Sequence, residues 1–109
     1  MAWKICIDKP FMNCEYIFPI QQKYISTIIE GLKKNQNVKK VIIFGSSVTS
    51  LCHPDSDIDI YLELDKNEKT NIPLIYKPYD YWNNFSADER LKKEIYGKGV
   101  VVYERDNVS

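Results

Sequence analysis

Apolar residues recur three and four apart between Ile20 and Leu32, at Ile20, Tyr24, Ile25, Ile28, Ile29 and Leu32. That spacing predicts one amphipathic helix with a single apolar stripe. Pro19 suits its first turn, where a missing N–H costs nothing. Lys33 and Lys34 stand near its end, where cations complement the macrodipole. Asn35 to Asn37 is the turn out. The period then changes. Val38 to Phe44 reads as a strand whose apolar part, Val41 to Phe44, is expected to be covered on both faces. Ser46 to Cys52 has the length of a short helix with Ser46 near its N-terminus, and His53-Pro54-Asp55 reads as a turn. Asp57 to Leu64 alternates: Ile58, Ile60, Leu62 and Leu64 share one face, Asp57 and Asp59 the other. Asp65 to Asn71 is polar and loop-like. Pro73 to Trp82 is expected as a third strand, with Pro78 demanding an edge or irregular position. Ser86-Ala87-Asp88-Glu89 has the Ser-x-x-Glu form of a capping box, so a helix is expected from there. Leu91 and Ile95 lie on one of its faces, and Gly97 is the expected stop. Val100 to Tyr103 is a last short strand.

The order helix, strand, short helix, strand, strand, helix, strand predicts a small mixed sheet covered by helices. The fold class is α+β, an α/β two-layer arrangement. At 109 residues one domain is expected over 1–109, with a core at about 20–105. Residues 1–18 are interrupted by Pro10 and Pro19 and read as an N-terminal arm or a short strand.

Fifteen basic residues balance fifteen acidic ones, so no global field draws nucleic acid, although a local patch remains open. Three cysteines, Cys6, Cys14 and Cys52, are an odd number without metal-ligand spacing. They argue against a disulfide framework or a zinc site and for a reducing, cytoplasmic setting. No apolar run approaches transmembrane length, and the N-terminus lacks signal-peptide character, so no membrane association is expected.

The chemistry gathers in one stretch. Gly45-Ser46 follows the first strand, and after a spacer of ten residues Asp57-Ile58-Asp59 opens the second. Two carboxylates on one strand face, with Cβ atoms roughly 7 Å apart, suit one hard divalent cation or a close pair. Gly45 and Ser46 supply a tight turn with free N–H groups that can cradle phosphate. Taken alone, an Asp-x-Asp pair is usually a solvated strand face, and a Gly-Ser pair a plain turn. Their combination at this spacing is the more specific signal.

The same residues resemble the signature of the nucleotidyltransferases related to DNA polymerase beta, in particular the small minimal nucleotidyltransferase domains. That pattern is Gly-Ser, a spacer, then Asp-x-Asp, matched here by Gly45, Ser46, Asp57 and Asp59. A third acid on a later strand belongs to it, and Asp80 is the candidate. Leu91 to Ile95 and Gly99 to Glu104 resemble the closing helix and strand, so the likeness covers about Ile20 to Arg105. It implies transfer of a nucleoside monophosphate from a nucleoside triphosphate, ATP being the expected donor, to a hydroxyl. It implies Mg2+, two ions, held by Asp57, Asp59 and Asp80, with Asp80 completing the acceptor-side ion or taking the hydroxyl's proton. Gly45 and Ser46 would bind the nucleotide. Ser56 would either bond the triphosphate or shape its turn. Trp82 would flank the site or belong to the core. Similar small domains act as antitoxins that modify a helical HEPN-type toxin, which is the partner implied. At this length no acceptor-binding domain is expected within the chain.

One departure keeps another class open. Many minimal nucleotidyltransferases follow Gly-Ser with an arginine and, a little later, a glycine. Here the run is Gly45-Ser46-Ser47-Val48-Thr49-Ser50. The alternative is a nucleotidyltransferase-fold binding module that neutralises its partner by contact. A third reading, metal-dependent phosphodiester hydrolysis, uses the same paired carboxylates.

Overall fold

The computed structural model describes residues 2–105. It shows helix α1 (Pro19–Leu32), strand β1 (Val38–Phe44), strand β2 (Ile58–Leu64), strand β3 (Tyr79–Asn83), helix α2 (Glu89–Lys98) and strand β4 (Val100–Glu104), with short 3-10 turns at Cys14–Tyr16 and Gly45–Val48. The four strands form one mixed sheet in the order β3-β2-β1-β4. β1 is antiparallel to both β2 and β4, while β2 and β3 run parallel. This is the expected α+β architecture.

Alternation along the strands splits the apolar residues between the sheet's two faces. Val41, Ile43, Ile58, Ile60, Leu62, Leu64 and Val102 meet Ile25, Ile28, Ile29 and Leu32 of α1. Ile42 and Tyr61 meet Ala87 and Ile95 from the α2 region, with Phe44, Trp82, Leu91 and Val101 packed around them. Each helix thus covers its own face, and Val41, Ile42 and Ile43 are buried as expected, whereas Phe44, expected to be covered too, is only partly buried and lines a cleft. Burying one such side chain contributes about 1.5–3 kcal/mol, so both cores hold the strands that carry the acidic residues.

The α1 stripe differs from expectation at its start. Ile20 is exposed, whereas Gln21 and Gln22 are fully buried. Gln22 Nε2 donates to the carbonyls of Lys4 and Ile17, and its Oε1 accepts the Cys6 N–H. The N-terminal segment is therefore an arm laced to α1, not a strand.

Four boundaries also move. The third strand covers only Tyr79–Asn83. Pro73 and Pro78 have no N–H for a ladder, and Ile75 is instead buried as a loop anchor against the α1 core. The cap of α2 is Asp88, whose side chain accepts the Leu91 N–H at 2.8 Å. Ser86 is engaged elsewhere: its Oγ accepts the Asn83 N–H and closes the preceding turn. The helix runs through Gly97 and stops at Gly99. The expected helix over Ser46 to Cys52 is one 3-10 turn, because Thr49 is extended and its Oγ1 donates to the Ser46 carbonyl.

Candidate active site

Strand register builds the site. The last residue of β1, Phe44, pairs with Asp59, and Asp59 pairs with Asp80 on β3. Paired positions present their side chains to the same face, so the two carboxylates are neighbours across the parallel pair. Asp57 is exposed and stands one residue before β2. One row further in, Tyr61 pairs with Trp82. The Trp82 ring packs on Phe44 with centroids 5.4 Å apart. Trp82 belongs to the second core and also forms an aromatic floor beside the acidic row.

The Gly-Ser turn closes over this row. Gly45 adopts φ +75°, and a Cβ there would run into Asp59 Oδ2. Glycine is required twice over, by conformation and by the approach of the carboxylate. Behind the turn, Ser47 is buried and its carbonyl accepts the Phe18 N–H at 2.8 Å. Gln21 Nε2 lies 3.4 Å from Ser47 Oγ and 3.2 Å from the Ser56 carbonyl, donating to both. One buried amide thus ties the Gly-Ser turn to the residue before Asp57. Ser56 is itself buried, and its Oγ accepts the His53 N–H at 3.0 Å. His53 is a turn residue whose Nδ1 accepts the Asp55 N–H.

Asp59 holds its proton unusually well. Its pKa is pushed from 3.8 up to about 6, first by burial, then by the negative charges of Asp80 and Asp57. Among the described residues no lysine, arginine or histidine pairs with any of the three. Nor do three His, Cys, Asp or Glu side chains there converge closely enough to hold an ion by themselves. The arrangement is a set of hard oxygen donors in mutual repulsion. Mg2+ uses one or two carboxylates and completes its shell with water and phosphate oxygens, so the donor set fits that ion without a closed cage.

Beside Asp59 opens a cleft of about 700 Å³. Gly45, Ser46 and Thr49 line it together with apolar Phe44, Val48 and Leu51, and α2 adds Glu94 and Lys98. Of the expected site residues, Gly45, Ser46 and Asp59 meet in this cleft, whereas Asp57, Asp80 and Ser56 lie outside its lining. Gln21, Glu94 and Lys98 were not anticipated. The sequence did carry a signal for them. Gln21 falls in phase with Ile25, Ile28 and Leu32, and Glu94 and Lys98 with Leu91 and Ile95.

A mixed sheet whose strand ends bring an acidic pair under a Gly-Ser turn defines a nucleotidyltransferase fold. The family described as "Polymerase beta, Nucleotidyltransferase" matches residues 26–108, and the chain belongs to that family. The match takes in all four strands and the three acids. No curated protein matches the chain. Among the described residues no helix is long and apolar enough to cross a membrane.

Proposed function

We propose that this protein transfers a nucleoside monophosphate, AMP from ATP, to a hydroxyl of a separate acceptor in the cytoplasm. The reading is carried by the register of Asp59 against Asp80, with Gly45 pressed on the same carboxylate. In the reaction the acceptor oxygen bonds to the α-phosphorus and the bond to the bridging oxygen breaks. Pyrophosphate leaves with that electron pair. Asp80 is exposed at the strand edge and takes the acceptor's proton. The N–H groups of the Gly45-Ser46 turn orient the phosphates. Ser56, with its Oγ engaged by His53, shapes the segment that presents Asp57. Asp57, Asp59 and Asp80 are the residues that would hold Mg2+, which when bound stabilises charge on the attacking and leaving oxygens.

The acceptor proposed is a helical HEPN-type toxin protein, modified on a tyrosine. Incubation with Mg2+, labelled ATP and that partner should label the partner, and Asp57→Ala should abolish the label. No label with wild type would overturn the transfer reading. Full suppression of the partner by folded Asp57→Ala/Asp59→Ala would favour neutralisation by contact, the reading motivated by the run after Ser46 that lacks arginine.

A further inference from the structure

We propose that Lys98 is the cation that grips the phosphate chain of the donor nucleotide. The inference rests on the reading of the cleft beside Asp59 as the donor site. A nucleoside triphosphate brings several negative charges to that cleft. The run Gly45 to Ser50 offers them no cationic side chain, and the cleft's other charged residues, Asp59 and Glu94, are acids. Among the described residues that line the cleft, Lys98 is the one cation. It belongs to α2, which lines the cleft together with the Gly-Ser turn.

A plainer reason for a lysine at this position exists. Lys98 is in the last turn of α2, where a positive charge complements the macrodipole. That would be served by a lysine on any face of the turn, and it leaves unexplained why this one falls on the cleft. Lys92 pairs with Glu89 at 3.4 Å, while among the described residues Lys98 makes no ion pair, not even with Glu94 one turn earlier. Of the other cations on α2, Arg90 and Lys93 are likewise without an ion pair among the described residues but do not line the cleft. An exposed ammonium with no ion pair among the described residues, lining the same cleft as the Gly45-Ser46 turn, supplies charge-assisted bonds to phosphate oxygens.

The test is calorimetric titration of a non-hydrolysable ATP analogue with Mg2+ into wild type, Lys98→Ala, Lys98→Arg and, as an exposed control on the same helix, Lys93→Ala. Melting curves establish that each is folded. Lys98→Ala should bind about tenfold or more weakly, as for loss of a bond to a charged group. Its affinity should also fall less steeply with salt. Lys98→Arg should recover most of the affinity, and Lys93→Ala should match wild type. Wild-type affinity in Lys98→Ala would overturn the inference and leave the donor site standing. So would an equal loss in Lys98→Arg. Absence of binding by wild type would overturn the donor site and this inference together.

Discussion

Strand β2 has a carboxylate at each end, and the two are treated in opposite ways. Asp65, just past Leu64, accepts from Arg105 Nη1 at 2.7 Å, and the guanidinium holds its carboxyl below the usual range. That end is stitched throughout: Asn84 bonds both backbone groups of Leu64, and Asn37 bonds both of Lys66. Asp59, six residues earlier, feels the charges of Asp80 and Asp57 and has no ion-pair partner among the described residues, and its carboxyl is pushed up to about 6. The same strand carries one charge that the fold has satisfied and one that it has not. Unsatisfied charge in a cleft is what a site that binds a cation and a polyanion requires. The paired end needs no ligand to account for it.

The largest effect expected is at the open end. Asp59→Asn should lower transfer activity by about a thousand-fold, the scale of removing a transition-state charge partner. The same change should stabilise the ligand-free protein at pH 7. Burial and two like charges oppose the ionised carboxylate, and removing it relieves them. The gain is on the order of 1 kcal/mol once solvent screening at a half-exposed group is allowed for. Thermal melts of wild type and Asp59→Asn check it, and a lower melting point for the variant would contradict the repulsion described here.

The pH dependence has a fixed sign. The folded pKa of Asp59 lies above its unfolded value, so between about pH 4 and pH 6 the folded state binds more protons. Its contribution to stability is present at acid pH and is lost as pH rises through 6. Melting temperature measured against pH should therefore fall across that window more in wild type than in Asp59→Asn. Asp65 works in the opposite direction, since its lowered pKa favours the fold at neutral pH and the gain is lost on acidification. Mg2+ should raise the melting point of wild type more at pH 7.5 than at pH 5, because it binds the ionised form.

A smaller effect is expected at Gln21, which holds the two halves of the open end together. Gln21→Leu keeps the volume but leaves the Ser56 carbonyl without its buried donor. A lost partner of this kind costs about 1–3 kcal/mol. Stability should fall within that range, and affinity for the ATP analogue should fall as well, because the Gly45 turn and Asp57 are no longer tied. A stability loss with unchanged affinity would reduce Gln21 to a core residue.

What could be read from the sequence follows the same division. Gly45, Ser46, Asp57 and Asp59 are close along the chain, and strand periodicity alone puts the acids on one face. The pairing of Asp80 with Asp59 is a matter of register between parallel strands, which no local pattern encodes. Helical phase puts Gln21, Glu94 and Lys98 on the sheet-facing sides of their helices, but only the packing of those helices on the sheet brings them to the site. Two prolines shortened β3, and a competing hydrogen bond to Asn83 took Ser86 away from the helix cap. These are tertiary outcomes overriding sound local signals.

The smallest effect should come from the closed end. Arg105 sits just beyond β4 and bonds both Asp65 and the Gln36 carbonyl, joining the turn before β1 to the loop after β2. An exposed pair of this kind contributes little, and salt screens it. Arg105→Ala should lower the melting point slightly, and the difference should shrink at high salt. Binding of the ATP analogue should stay at the wild-type value, because β2 separates this pair from Asp59 by its full length and the two cores hold the strand in register without it. If Arg105→Ala weakened the analogue as much as Lys98→Ala, the ends of β2 would not be independent. Asp65 would then belong to the electrostatics of the site, and the contrast between a satisfied and an open carboxylate would no longer locate the function.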